Sequence, residues 1–346
     1  MKEISTIGID LAKNKIRIVE ANVAGKILKR KWVHRSEFLG YMGDKTACIV
    51  GMEACAGAHY WAREFEKMGH RVKLMPPQYV KPYVKTNKND TNDAEACAEA
   101  VTRPTMRFVP IKSERQQVLA QWHRVRERLV GVRTALGNEM RGFLGEFGIV
   151  MPTGIDKLRG YVVEALEKNA SRLSDSTREL IKRLSEELKR IDEEIEFYEN
   201  KIVQTHKALP ESQRLDTVPG IGEITATAIV ALFSSAEQFK NGRQFAAFLG
   251  LVPGQHSTGG KSRLGRISKR GDAYIRKLLV QGAQSVLISS KKKQDRYSRW
   301  AQQIRERRGW CKAAVAIANR NARIAWAILA RGVEFDASYV PQPVAA

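Results

Sequence analysis

Four carboxylates stand where they could share a task. Asp10 ends the apolar run ISTIGID (4–10), Glu53 ends CIVGME (48–53), and Asp90 and Asp93 lie in KNDTNDAEA, at the start of a helical stretch. Acids at the ends of neighbouring strands converge on one edge of a sheet, and two acids three residues apart share a helix face. Carboxylates gathered in this way repel one another unless cations neutralise them, and hard divalent ions such as Mg²⁺ are held by such oxygen ligands. Two such ions about 4 Å apart can activate a nucleophile and stabilise the leaving oxygen in phosphodiester chemistry. Taken singly, an acid after a strand is ordinary, and a DxxD pair at a helix start also serves as cap and dipole partner. The ordered set is what points to metal-assisted chemistry, with Lys85 and Lys88 as flanking phosphate contacts.

A second candidate locus is HSTGGKSRLGRISKRG (256–271), read as part of a glycine- and serine-rich basic loop over 253–269. Its glycines give backbone freedom. Its cations, Lys261, Arg263, Arg266, Lys269 and Arg270, with Arg276 just beyond, can stabilise charge on a phosphoryl group. Two readings stand: a flexible phosphate-binding loop without covalent chemistry, or a loop whose serine attacks phosphorus and forms a phosphoserine link. His256 is a candidate base for that serine. A third locus is VPGIG (218–222), which reads either as a tight turn or as the hairpin of a helix–hairpin–helix element. In the second case Gly220 and Gly222 let amide N–H groups approach a phosphate.

The elements that must carry these residues follow from periodicity. Apolar runs at 4–10, 15–22 and 26–33 predict a meander of strands, followed by strands at 48–53 and 71–77 and helices at 57–68 and 90–101. Three strands followed by alternating helix and strand predict an α/β domain over residues 1–110. Residues 113–147 turn helical, broken by Pro152 and Gly154. Over 174–205, Ile181, Leu184, Leu188, Ile191, Ile195, Tyr198 and Ile202 alternate spacings of three and four, a heptad seam. The seam predicts a coiled coil or long helical hairpin, pairing either with 113–147 or with a second subunit. Compact helices follow near 217–233, 242–250, 272–287, 299–308 and 311–331, then an irregular tail over 332–346.

Composition sets the partners. The 346 residues carry 59 Lys+Arg against 37 Asp+Glu, a net charge of +22. Residues 231–346 hold 21 of those bases and only 6 of the acids, so most of the surplus lies in the last third. Such a surplus suits a polyanion, nucleic acid or an anionic surface. The apolar stretch 313–329 is interrupted by Arg320 and Arg323, and no run of about 18 apolar residues exists to span a bilayer. The N-terminus lacks a signal-peptide core. Cys48, Cys55, Cys97 and Cys311 form no CxxC pair and read as reduced thiols, neither disulfide frame nor zinc site.

The motifs IGIDLAKN, GMEACAG, NKNDTNDA, VPGIGEITA, RQFAAFLGLVP and HSTGGKSRLGRISKRGD, with the tail GVEFDAS, occur in the order seen in DEDD transposases of insertion sequences, and the chain resembles that family over nearly its whole length. The resemblance implies a RuvC-like (ribonuclease-H-type) catalytic domain at 1–110, a helical coiled-coil region at 111–210, a small helical transposase domain carrying the serine loop at 211–332 and a tail at 333–346. It implies Mg²⁺ (or Mn²⁺) on Asp10, Glu53, Asp90 and Asp93, and Ser257 as nucleophile, with Ser262 as the alternative. Gly220, Gly222, Lys261, Arg263, Arg266, Lys269 and Arg270 are the expected nucleic-acid contacts. The expected activity is RNA-guided recombination through a phosphoserine intermediate, with donor and target DNA and an element-encoded non-coding guide RNA as partners. The resemblance further implies a homo-oligomer in which the acids of one subunit meet the serine of another, in the bacterial cytoplasm at the nucleoid. The competing reading is a metal-dependent Holliday-junction-type nuclease that uses only the four carboxylates and water.

Overall fold

The computed structural model describes residues 5–85, 89–233 and 238–338. They fall into two compact units, Met1–Arg115 and Gln116–Ala346.

The first unit is α/β. Strands β1 (Thr6–Asp10), β2 (Lys15–Ala21), β3 (Ile27–His34), β4 (Ile49–Glu53) and β5 (Arg71–Met75) form one sheet in the order β3-β2-β1-β4-β5. The β1–β2 and β2–β3 pairs are antiparallel, while β1–β4 and β4–β5 are parallel. The expected meander is therefore present, followed by parallel additions on its other side. Alternation along the strands sends Ile7, Ile9, Ile16, Ile18, Val50 and Met52 into one core with Phe38 of α1 (Phe38–Gly43) and Trp61 and Phe65 of α2 (Ala58–Lys67). After α3 (Pro77–Val80), helix α4 (Asp90–Ala100) covers the opposite face, where Ala94 and Ala98 pack on Val19. The edge strand β3 exposes Lys29, Arg30 and Lys31, charges that discourage pairing with another chain.

The second unit, apart from one small hairpin, is helical. Its long helices α5 (Glu114–Gly145) and α7 (Asp175–Lys207) share a core with α6 (Ile155–Lys168). Ile181, Leu188, Ile191 and Ile195 of the heptad seam are buried in one cluster with Leu129, Leu136, Met140 and Leu144 of α5 and Leu158 and Val162 of α6. The seam thus finds its apolar partners within its own chain. Helix α6 was not anticipated from the sequence, nor was α1. The remaining helices are α8 (Pro210–Asp216), α9 (Glu223–Leu232), α10 (Gly242–Phe248), α11 (Ala273–Ser289), α12 (Arg296–Arg308) and α13 (Trp310–Arg331). They enclose a core in which Phe245, Leu279, Ile317 and the alanines 313, 314, 318 and 322 are fully or nearly fully buried. Small side chains on α13 let its neighbours approach closely.

The segment expected to be an irregular loop at 253–269 is instead a β-hairpin. Strand β6 (Pro253–Gln255) pairs antiparallel with β7 (Leu264–Ile267). Backbone bonds from His256 N to the Arg263 carbonyl (3.0 Å) and from Ser268 N to the Val252 carbonyl (2.8 Å) extend the ladder at both ends. Little apolar burial was available to signal these strands, because both are largely exposed.

Candidate functional site

The acids of the first unit are assembled by two glycines. A Cβ on Gly8 would stand 2.2 Å from the Ala94 carbonyl oxygen, and one on Gly51 would stand 2.8 Å from the Cys97 carbonyl oxygen. Helix α4 therefore lies against β1 and β4 at a separation that no side chain allows. Asp10 and Glu53 follow these glycines by two residues, so they point to the same face of the sheet. β1 and β4 run in parallel with Ile9 opposite Met52, which brings Asp10 and Glu53 to the same end.

The N-terminus of α4 supplies the rest. Asn89 caps it, its side chain accepting a bond from Asn92 N at 2.9 Å, and the Asn92 amide donates to the Lys85 carbonyl at 2.8 Å. Asp90 and Asp93 sit in this first turn, where the helix dipole favours negative charge. One carboxylate oxygen from each of Asp10, Asp90 and Asp93 lies within 4.8 Å of the others. Glu53 stands outside that trio, yet its charge and those of Asp10 and Asp93 reach the same buried thiol, Cys97. Burial, reinforced by those three charges, pushes the Cys97 thiol far above its ordinary range, so it stays protonated. The donor set is thus carboxylate oxygen, the kind a hard divalent ion takes. Lys85 pairs with Glu99 at 3.2 Å. Lys88 lies outside the described residues.

Sequence reasoning named the four acids but not the two glycines, although IGID and VGME each carry a glycine two residues before the acid. It also passed over Arg17, which stands directly opposite Asp10 across β1 and β2, and Trp32, which stands opposite Arg17 across β2 and β3.

In the second unit, Ser257 is exposed beside the tip of the hairpin, whose turn runs through Gly259 and Gly260. Its hydroxyl accepts bonds from the Gln255 amide (2.8 Å) and the Arg263 backbone N–H (3.3 Å). Lys261, Ser262, Arg263 and Arg266 are exposed around it, and Lys269 and Arg270 lie at the foot. There Arg276 donates to the carbonyls of Leu249 and Arg270, both at 2.9 Å, and ties the hairpin to α11.

VPGIG forms the turn between α8 and α9. Gly222 caps α9, while Gly220 has a φ of +86° and packs on α11, where a Cβ would meet the Gly282 carbonyl at 2.7 Å. Asn321 donates to the Pro219 carbonyl at 2.8 Å and accepts a bond from the Tyr297 hydroxyl. Gly220 is therefore required by helix packing in its own right. Among the described residues, no helix is long and apolar enough to cross a membrane.

Comparison with known proteins agrees across both units. Residues 7–149 match the DEDD transposase family of IS110 elements, and residues 212–299 match the family described as transposase IS116/IS110/IS902. A probable family 20 transposase of Pseudomonas aeruginosa is 46% identical over 95% of this chain and 97% of its own length. The transposase for insertion sequence element IS1111A of Coxiella burnetii is 42% identical over 96% of this chain and 91% of its own. That for IS1328 of Yersinia enterocolitica is 41% identical over 97% and 100%.

Proposed function

The chain belongs to the IS116/IS110/IS902 family of insertion-sequence transposases, and from that premise we propose that it cuts and rejoins DNA through a phosphoserine intermediate under the direction of an element-encoded RNA. The observation that carries the reading is the approach of Asp10, Asp90 and Asp93 to within 4.8 Å, with Glu53 at the same end of the sheet. In this reading residues 1–110 are a RuvC-like catalytic domain, 111–210 a coiled-coil region, 211–332 a transposase domain with a helix–hairpin–helix-like element, and 333–346 a tail.

Asp10, Glu53, Asp90 and Asp93 would hold Mg²⁺ or Mn²⁺. A bound divalent ion supplies positive charge that offsets the carboxylates and polarises a DNA phosphodiester. The Ser257 oxygen attacks the phosphorus. An Oγ–P bond forms, the P–O3′ bond breaks, and its electron pair leaves on O3′, which takes up a proton. The serine proton passes to solvent. The ester preserves the energy of the broken bond, so a second 3′-hydroxyl can reverse the step on a new strand without ATP. Lys261, Arg263 and Arg266 on the arms and turn of the hairpin, with Lys269 and Arg270 at its foot, give the segment positive charge suited to a phosphoryl group and the flanking backbone. The guide RNA reads target and donor by base pairing, and the protein holds backbone. A homo-oligomer is part of the same reading.

The competing nuclease reading gains from one observation: the Ser257 hydroxyl is bonded to an amide and a backbone N–H, neither of which is a base. Denaturing-gel trapping on a supercoiled donor, with the element's own non-coding RNA and Mg²⁺, separates the two. A protein–DNA adduct lost in Ser257→Ala and in Asp10→Ala supports recombination. Cleavage that persists in Ser257→Ala without an adduct supports the nuclease.

A further inference from the structure

We propose that Arg17, held on the indole of Trp32, forms a phosphate-binding subsite beside the carboxylates and takes a non-bridging oxygen of a DNA phosphodiester. The inference rests on the reading of the acids given above and adds a ligand contact to it.

Trp32, Arg17 and Asp10 occupy opposed positions on three successive strands. Opposed residues in an antiparallel pair present their side chains to the same face, about 5 Å apart at Cβ. The row therefore continues from Asp10 through Arg17 to Trp32 on the face that carries the acids. An arginine opposite an aspartate would ordinarily form an ion pair with it. Here no ion pair involving Arg17 exists among the described residues. The guanidinium lies instead over the Trp32 ring, 5.1 Å from its centroid. The neighbouring base Arg30 is already committed, bonded to Glu95 at 2.6 Å.

The second observation is an orphaned donor. The Nε of Arg17 is shielded from solvent and has no hydrogen-bond partner among the described residues. A shielded N–H without an acceptor is unfavourable, and it becomes favourable when an oxygen arrives. The planar guanidinium suits the paired oxygens of a phosphate, and stacking on an aromatic ring fixes it before the ligand binds. Trp32 holds Arg17 over its ring rather than in an ion pair with Asp10, which leaves the cation available for substrate.

The test reads binding, so it needs neither metal nor turnover. Donor-end DNA is ethylated sparsely at its phosphates and bound in EDTA by the full chain with the element's non-coding RNA, and bound and free DNA are then compared. The wild-type protein should show interference at a phosphate next to the cleaved bond. Arg17→Met, which keeps an apolar stem on the ring, should lose interference at that phosphate alone, and its salt dependence should fall by about one in slope. Arg17→Lys should restore part of both. Trp32→Leu should weaken the same phosphate, and it serves as the second variant if Arg17→Met fails to fold. An interference pattern and slope unchanged in folded Arg17→Met and Trp32→Leu overturn the subsite. If Asp10→Ala still abolishes cleavage, that failure leaves the reading of the acids intact; if Asp10→Ala cleaves normally, the reading beneath the proposal falls too.

Discussion

A Cβ on Gly8 would stand 2.2 Å from the carbonyl oxygen of Ala94, so the helix bearing two of the acids rests on the strand bearing a third with only hydrogen between them. The spacing of the carboxylates is therefore set by a backbone approach at the residue that follows Asp93, one turn beyond Asp90.

Gly8→Ala should lift α4 and spread the acids. Overpacking of this kind costs about 1–3 kcal/mol, and the obstacle here is backbone, which yields less than a side chain. Urea denaturation should show the loss, and Mg²⁺-dependent cleavage should fall with it. Gly51→Ala should act in the same direction. Gly40→Ala, inside α1 with nothing within 4 Å of its added carbon, should leave cleavage at the wild-type rate and stability no lower than wild type.

Divalent metal should stabilise the wild-type chain and its acid variants unequally. A ligand present at one hundred times its Kd adds about 2.7 kcal/mol to folding stability. Thermal melts with and without Mg²⁺ should show a rise in Tm for wild type that shrinks by at least half in Asp93→Asn and in Asp90→Asn. An equal rise in all three would show that the ion binds elsewhere.

Ser257→Ala should abolish the covalent adduct and leave stability within about 0.5 kcal/mol, as expected of an exposed side chain. Ser262→Ala should retain the adduct. If the two variants exchange phenotypes, the nucleophile is Ser262, three positions beyond the turn's first glycine.

Acid should weaken the second unit through His123. Its imidazole is buried, with Nδ1 3.0 Å from the Tyr274 hydroxyl and Nε2 3.1 Å from Thr227 Oγ1. Thr227 donates to the Glu223 carbonyl, so its oxygen accepts from His123 Nε2–H, and Nδ1 accepts from Tyr274. The neutral ring satisfies both contacts, and a second proton would break one. Burial first, then Arg126, holds the pKa down at about 4, against 6.5 for the free side chain. The unfolded chain thus binds the proton more readily, and the stability contributed by this residue is complete above pH 6.5 and is lost as pH falls towards 4. His59 is held at about 4 as well, by burial and then Lys112 and Arg63, and contributes with the same sign. Chemical denaturation between pH 4 and 7 should show a shallower acid slope in His123→Gln, and a shallower one again when His59→Gln is added.

Much of this architecture was legible because burial writes itself into the sequence. ISTIGID and KIRIVEAN alternate or cluster apolar residues, and the 174–205 seam repeats with the pitch of a helix. The acids were legible as strand ends and a helix start. Helix α6 escaped notice behind Pro152 and Gly154, although Leu158, Val162, Ala165 and Leu166 carry its apolar face. The hairpin at 253–267 escaped for a different reason. Its ladder is made by backbone bonds between exposed, glycine-rich and charged strands, and no apolar alternation marks it. The Arg17–Trp32 contact depends on strand register, which single residues do not announce.

The hairpin has one mechanical consequence. Its foot is clamped by Arg276, and Ser257 stands four residues beyond Pro253, a reach of about 13 Å at the rise of an extended strand. The hydroxyl is thus mounted, exposed, on a stalk. Removing one residue pair from the two arms would retract it by several ångströms with its chemical nature unchanged, so reach and reactivity can be tuned separately.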